Sequence, residues 1–356
     1  MKLPIHKLIL SAAIAAASGL SIQAGELESM QAGMATSDFP IWAYSIRLPV
    51  QYGYDDNPTG LSRDLPRREG LSHRSSSLIH LNPSVEFTMV QSELISWAFS
   101  YDLLKIYYLD QADINVTNNT FELSRTQKIG EHKLVVSVSD EIDRVDEEGQ
   151  SNQFKVRPTW KHKWDDCWST DFAYTFAWTD VALADDGKVP AVLDPDNKYH
   201  AVGLIQTYTF PSSELKVSLG YQFFVVKTEG SVADKQRHRI YSKLAGKPFP
   251  IEWKRLNALE VEVTYTHDFD DYENKDVGAP AGFNIVRSEN IDAVSLTLTY
   301  PLGWTVQWEE EDSSGRRRGP VQAKWIAGYE YSNQDSNIRG RNSDNHIFRA
   351  GIVADF

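Results

Sequence analysis

Hydrophobic and polar residues alternate one by one along much of this chain. Between Trp42 and Tyr54, every even-numbered residue is aromatic or aliphatic, whereas the odd-numbered residues are small, polar or proline. Successive side chains of an extended strand point to opposite faces, whereas a helical period would scatter these apolar residues around the helix. The segment therefore predicts a β-strand with one apolar face and one polar face.

The same alternation predicts further strands. Their apolar rows are Ile79–Met89, Ile95–Leu103, Phe121–Leu123, Leu134–Val138, Phe154–Trp160, Trp168–Trp178, Val202–Phe210, Leu215–Val225, Ile240–Leu244, Leu259–Phe269, Val294–Tyr300, Val321–Tyr331 and Phe348–Phe356. The row at Phe121 is brief and predicts a shorter strand than the others. Apart from Pro301–Pro320, these rows account for about fourteen strands.

The connections between these rows alternate in length. Short ones are Gln91–Glu93, Lys128–His132, Trp164–Cys167 and Pro211–Glu214, and long polar ones are Asp55–Leu71, Asp110–Thr117, Asp180–Asn197 and Asp271–Asn290. Short turns on one side and long loops on the other are typical of a bacterial outer-membrane barrel. The predicted fold class is therefore all-β, a closed antiparallel transmembrane β-barrel. A soluble β-sandwich is the competing architecture.

The stretch Pro301–Pro320 does not fit this rhythm, because it contains Trp304, Val306 and Trp308 where a short turn is expected. An extra strand here would give an odd number, whereas bacterial barrels of one chain have even numbers. We interpret the stretch as an enlarged turn or a bulged extension of the preceding strand.

Both ends of the chain support export. Residues 1–24 have a basic start and a short apolar stretch, followed by Ile22-Gln23-Ala24, and predict a cleaved signal peptide. Residues 25–40 are then a short periplasmic segment, residues 41–356 the barrel, and the bacterial outer membrane the predicted location. The terminal row resembles the signal read by the barrel assembly machinery, with Phe348 and Phe356 as its aromatic residues.

Charge and cysteine content narrow the partners. The net charge is −13, and loss of Lys2 and Lys7 with the signal peptide makes it more negative. Nucleic acid is therefore not expected as a partner, because binding phosphate requires a basic surface. Cys167 is the single cysteine, so no intramolecular disulfide can form.

The alternation also assigns side chains to the lumen. The inward-facing candidates are Glu86, Lys155, Arg157, Lys161, Lys216, Lys243, Glu260, Glu262 and Glu330. A barrel of this size is too wide to be filled by side chains alone. These charges then either line a solvated wall or form opposed acidic and basic arcs that orient a polar solute.

Acidic residues are concentrated in two predicted outer loops. One contains Asp140, Glu141, Asp143, Asp146, Glu147 and Glu148, and the other contains Asp185, Asp186, Asp194 and Asp196. Carboxylate clusters suit hard divalent cations, but neither loop has a recognised calcium spacing. We expect a solvated acidic rim, with divalent cations bridging it to lipopolysaccharide. No metal site built by the protein and no cofactor is predicted.

Two enzyme interpretations are weaker. His73-Arg74-Ser75 resembles the His-x-Ser pair of outer-membrane lipid hydrolases, but Ser76 stands where those enzymes have Asn. His267-Asp268 resembles part of an outer-membrane protease site, yet adjacent strand residues point to opposite faces. The sequence therefore predicts no catalytic residue, and the chain is predicted not to be an enzyme.

Several short motifs resemble the C-terminal barrel of surface lipoprotein assembly modifiers. They are Tyr54-Asp55-Asp56-Asn57, Phe269-Asp270-Asp271-Tyr272, Ser336-Asn337, Arg341-Asn342 and the terminal Phe356. The resemblance covers about Ile41 to Phe356 and implies a barrel for export or passage. The helical-repeat domain of that family is not expected here, since only Gly25–Pro40 precedes the first predicted strand.

Three functions remain open from sequence. The first is a porin-like channel or export pore for polar solutes or an exported substrate. The second is a structural or surface-interaction barrel whose acidic loops contact lipid, lipopolysaccharide or other partners. The third is a lipid hydrolase or protease.

Overall fold

The fold was analysed in a computed structural model. It describes residues 41–58, 75–110, 114–145, 148–181, 196–211, 213–229, 233–249, 253, 256–275, 286–306, 321–338 and 342–355. The predicted signal peptide, the segment 25–40 and Phe356 lie outside these residues. Within them, no helix is long and apolar enough to cross a membrane.

The described chain is a succession of β-strands. They are β1 (Ile41–Asp55), β2 (Ser76–Leu81), β3 (Ser84–Ser92), β4 (Ile95–Tyr108), β5 (Val116–Ile129), β6 (His132–Val145), β7 (Glu148–Lys163), β8 (Trp168–Asp180), β9 (Asn197–Thr209), β10 (Lys216–Thr228), β11 (Lys235–Gly246), β12 (Glu260–Lys275), β13 (Val286–Val306), β14 (Val321–Ser336) and β15 (Ser343–Asp355). From β3 to β15, each strand pairs antiparallel with the next one in the chain.

Two features close this sheet into a barrel. β1 pairs with β15, from Arg47 opposite Asp355 to Asp55 opposite Ile347. β2 and β3 are two halves of one strand, because both pair with β1 and with β4 in one continuous register. The interruption falls at Pro83, which has no backbone N–H to donate to a ladder. The predicted closed fourteen-strand antiparallel barrel is confirmed.

The two faces of the wall follow the alternation. Large apolar side chains such as Leu219, which is 61% exposed, point outward. The inward positions between them are mostly small, polar or charged. In a membrane barrel the outward rows contact lipid, while the inward residues line the lumen.

The two ends of the barrel are distinguished by their connections. We call the end with the short turns the turn end and the end with the long loops the loop end. The parts of the lumen next to them are the turn half and the loop half.

As far as Val306, the stretch after Pro301 is a bulged extension of β13, as one interpretation of the sequence predicted. Residues 307–320 lie outside the described residues. β13 is 21 residues long, and its register with β14 shifts between Pro301 and Thr305. Gly303 lies in the shift at φ 68°, a left-handed conformation that glycine adopts without steric cost.

Two predictions about strand length are wrong. β5 has 14 residues and is not a short strand, because hydrophilic residues extend it on both sides of Phe121 and Leu123. Part of the first predicted acidic loop is also strand: Asp140, Glu141 and Asp143 belong to β6, and Glu148 begins β7. The reason is the same in both places, since strands that continue beyond the apolar belt no longer need apolar residues.

Candidate functional site

The basic candidates on β7 lie on the inward face of the wall. Lys155 is 3.5 Å from Glu141 on β6, and Lys161 is 3.4 Å from Asp171 on β8. Arg157 lies between them on the same face, opposite Ser137. The β7 cations are therefore placed so that acids on the neighbouring strands can neutralise two of them.

The other candidates are distributed around the barrel. Lys243 on β11 is 2.9 Å from Glu262 on β12, and Glu330 on β14 is hydrogen-bonded to Arg349 on β15. The remaining three lie at separate places: Glu86 accepts a hydrogen bond from Thr88, Glu260 begins β12, and Lys216 begins β10. The structure thus joins five of the candidates, Lys155, Lys161, Lys243, Glu262 and Glu330, to cross-strand partners. It does not gather the candidates into one cluster.

A cavity of about 500 Å³ occupies the turn half of the lumen. On one side it is lined by Arg47, His80 and Arg349, which belong to β1, β2 and β15. On another side it is lined by Glu260 and Glu262 of β12. Basic and acidic side chains from different strands therefore face the same space.

The loop half contains a buried set of ion pairs between β11 and β12, which we call the charge ladder. It consists of Lys235, Arg237 and Arg239 on β11 with Asp268 and Asp270 on β12. Arg237 Nε donates to Asp270 Oδ1 at 2.6 Å, and Lys235 Nζ donates to Asp270 Oδ2 at 2.6 Å. Arg239 holds Asp268 with two hydrogen bonds of 2.6 and 2.7 Å.

The charge ladder continues onto β13. The hydroxyl of Tyr272 donates to Glu289 at 3.1 Å, and the guanidinium of Arg287 lies 3.6 Å from the centre of the Tyr272 ring. Asp270 and Glu289 are almost completely buried. Buried carboxylates require partners, because desolvation of an unpaired charge costs several kcal/mol.

The basic side of the charge ladder was not among the residues predicted from the sequence. Lys235, Arg237 and Arg239 occupy alternate positions of one strand, and this spacing was a readable signal for one face. Their acidic partners could not be identified in the same way, because β11 and β12 are brought into register by a connection whose geometry the sequence does not show.

The motif Tyr54-Asp55-Asp56-Asn57 forms the seam between the first and last strands. Asp55 accepts a 2.9 Å hydrogen bond from the hydroxyl of Tyr108 and a 3.0 Å bond from the backbone amide of Asn57. The Asp56 carboxylate accepts from the amide of His346 at 2.7 Å. Asn57 also donates to the carbonyl of Asp344. These residues close the barrel at its loop end.

Other motifs of the family resemblance are also structural contacts. Asn337 joins β14 to β13, since its side chain accepts from the amide of Ser288 and donates to the carbonyl of Val286. Asn342 accepts from the amide of Ser336 at 2.7 Å, across the connection between β14 and β15. Their asparagines therefore cap strand ends.

The residues of the two enzyme interpretations are not assembled into a site. His267 and Asp268 point to opposite faces: His267 pairs with Asp292, and Asp268 pairs with Arg239. His73 and Arg74 lie outside the described residues. No group of three or more histidine, cysteine or acidic side chains in the described part of the chain could hold a metal ion.

Comparison with solved structures finds outer-membrane proteins. A loop L8 deletion mutant of OmpT, an outer membrane protein of Vibrio cholerae, is 8% identical, with 90% of this chain and 100% of that chain covered, at a TM-score of 0.47. An anion-selective porin from Comamonas acidovorans is 8% identical, with 89% and 100% covered, at 0.45. OprD of Pseudomonas aeruginosa is 10% identical, with 88% and 94% covered, at 0.37.

The chain has the fold of an outer-membrane β-barrel. This statement rests on the pairing of β1 with β15 and on the apolar outer surface of the wall. No protein-family model and no curated protein matches the chain. The narrower resemblance to surface lipoprotein assembly modifiers is therefore not shown.

The prediction that the chain is not an enzyme does not stand. OmpT of Vibrio cholerae occurs three times among the similar structures, as a loop-deletion mutant, folded in vitro and expressed in the outer membrane. A fold does not determine function, because a site is made by a few side chains placed on a shared scaffold. The barrel fold therefore gives no ground for excluding catalysis.

Proposed function

We propose that this barrel is a passage pore for polar solutes across the bacterial outer membrane. The observation that carries the proposal is the cavity of about 500 Å³ in the turn half, together with its charged lining. A wall that is apolar outside and charged inside suits water and polar solutes in the lumen.

The exposure of the lining charges supports a wet lumen. The side chain of Arg47 is 53% exposed, and that of Glu262 is 48% exposed, although both point inward. Charges that stay hydrated in the middle of a barrel indicate space for water, because an ion pair sealed from solvent would pay a large desolvation penalty. A polar solute can replace that water.

The loop half differs from the turn half in how its charges are held. There Asp270 of β12 is buried beside Arg237 of β11, and Glu289 of β13 is buried beside Tyr272 of β12. Because basic and acidic groups are paired in this wall, we expect polar solutes to be admitted by size and hydrogen bonding more than by net charge.

The family resemblance suggests an exported substrate as a narrower version of this proposal. Several of its motifs, however, form the seam and the strand caps, so they contribute no group that would recognise a cargo. The polar-solute version has more support, because it rests on side chains that line the cavity.

Single-channel conductance of the purified full chain in planar bilayers tests the proposal. We expect discrete conductance steps from protein that migrates differently on a denaturing gel before and after boiling. Material boiled before addition should give no steps. Folded, heat-modifiable protein that never conducts would contradict the pore and favour the surface-interaction barrel.

A further inference from the structure

Tyrosine–histidine pairs recur on the outward face of the barrel. In each pair, the tyrosine hydroxyl lies within hydrogen-bond distance of a histidine Nδ1 on the next strand. The pairs are Tyr174 with His200 at 2.6 Å, Tyr221 with His238 at 2.7 Å, and Tyr329 with His346 at 2.9 Å. Each joins the two strands of a hairpin that connects at the loop end, so each occupies an equivalent place in the wall.

The pairing determines which histidine nitrogen is available. When the tyrosine donates to Nδ1, the neutral imidazole carries its proton on Nε2. That N–H is then the group left to donate to a partner outside the protein. A tyrosine hydroxyl in an apolar belt also gains a necessary partner, since lipid chains offer none.

On the strand that carries each histidine, the residue two positions closer to the loop end also faces outward. This residue differs between the three pairs. It is Lys198 beside His200, Gln236 beside His238 and Asp344 beside His346. Asp344 lies 4.0 Å from Nε2 of His346. The first pair is therefore the one that places a cation next to its histidine.

A second cation faces the first. Lys198 on β9 is directly opposite Lys227 on β10. Lys227 is held by Asp234 at 3.3 Å and by Glu273. None of the described acids forms an ion pair with Lys198, and the carboxylate of nearby Asp196 accepts from the amide of Val181. Like charges directly opposite in a sheet are unfavourable. Asp234 and Glu273 offset this repulsion at Lys227, and no described acid does so at Lys198.

The outward surface beside Lys198 and His200 is apolar on the side toward the turn end. Along β9, Val202 and Leu204 follow His200 on the outward face, and both are exposed. Trp178 is opposite Lys198 on β8 and is also exposed. The charge of Lys198, which has no ion-pair partner among the described acids, lies above this apolar wall. That combination matches a lipid with an anionic headgroup and acyl chains.

We propose that Lys198 and His200 bind the phosphate of a lipid headgroup at the loop end of β8–β10. Lys198 supplies the charge, and Nε2 of His200 donates a hydrogen bond. The acyl chain lies along Val202 and Leu204. This site is on the outside of the wall, so it is independent of the proposed passage function.

Native mass spectrometry of the detergent-solubilised full chain tests this site, with dioleoyl phosphatidic acid and dioleoylglycerol as probes. The unmodified protein should retain phosphatidic acid and not dioleoylglycerol, which lacks the phosphate. Lys198→Gln combined with His200→Gln should lower retention about fivefold or more, the effect of one cation near a lipid surface. Heat-modifiable migration must be unchanged, which shows that the variant is folded.

Lys105→Gln is the matched control. Lys105 is also on the outward face near the loop end, where it lies over the ring of Tyr107. It should retain phosphatidic acid like the unmodified protein. Equal loss in this control, or full retention by the double variant, would overturn the proposal. Displacement of phosphatidic acid by an equal concentration of inorganic phosphate would also overturn it, because the site would then recognise a free anion.

Discussion

In the turn half of the lumen, Arg47 and Glu262 keep about half of their side-chain surface exposed. In the loop half, the side chain of Asp270 is 0% exposed, and Asp55 is 1% exposed. Both halves use the same alternation of inward and outward residues, and both carry charges of either sign. The difference between these residues is solvent exposure, which decides whether a charge can be screened by water or must be held by a partner.

This difference has energetic consequences. An exposed ion pair contributes about 0–1 kcal/mol, because water screens it. Removing one partner from a buried pair costs about 3–5 kcal/mol, because the other charge is left unpaired. We therefore expect the loop half to hold the barrel rigid and the turn half to tolerate substitution.

The largest expected effect is that of Asp270→Asn, which leaves Lys235 and Arg237 without their buried carboxylate. It should lower the free energy of unfolding by about 3–5 kcal/mol. The matched change in the turn half is Glu262→Gln, which should cost about 1 kcal/mol or less. Urea unfolding in lipid vesicles measures both, and equal losses would remove the distinction between the two halves.

The second prediction concerns arginine on either face of β14. Ala327→Arg places a cation in the apolar belt and should cost about 2–4 kcal/mol. Gly328→Arg should cost less, because Gly328 lines the turn-half cavity and an added Cβ would have its nearest neighbours, Arg349 and the carbonyl oxygen of Leu296, at 3.8 Å. If Gly328→Arg lowers the free energy of unfolding in vesicles more than Ala327→Arg does, side chains fill the turn half of the lumen.

The third prediction removes a single hydroxyl from each half. Tyr108→Phe deprives buried Asp55 of a hydrogen bond at the seam and should cost about 1–3 kcal/mol. Thr88→Val removes the corresponding donor to exposed Glu86, and we expect almost no loss of stability. The same unfolding assay compares them, and a loss for Thr88→Val as large as that for Tyr108→Phe would be inconsistent with a hydrated turn half.

The fourth prediction concerns Glu262→Lys, where the readout is ion selectivity. In the proposed pore, reversal of this charge should shift ion selectivity toward anions, as measured by the reversal potential across a salt gradient. Stability should change by about 1 kcal/mol or less, because the site is hydrated. An unchanged reversal potential would place Glu262 outside the path of ions.

The strands and their two faces were predictable because one rule, the alternation, acts within each strand. Phe121 and Leu123, for example, point outward as the pattern predicts. The extent of β5 and β6 was not predictable from apolar residues. Beyond the lipid belt, residues such as Asn118 and Asp143 continue the strands through hydrogen bonds to each other.

The charge ladder shows what alternation cannot supply. It indicates that Arg237 and Arg239 share a face, but not that Asp268 and Asp270 are opposite them. Cross-strand neighbours depend on register, and a shift of one residue would move every side chain to the other face. The seam motif was recognised as a sequence pattern. Its role in closing the barrel became visible only from the pairing of β1 with β15.

That seam also has a consequence for how the barrel is made. The Asp56 carboxylate and the His346 amide that it binds are separated by 290 positions in the chain. Contacts this distant carry a high loop-closure entropy and form late in folding. A nascent chain that stops before His346 lacks the amide that Asp56 binds, so this seam bond can form only after the last strand has been added.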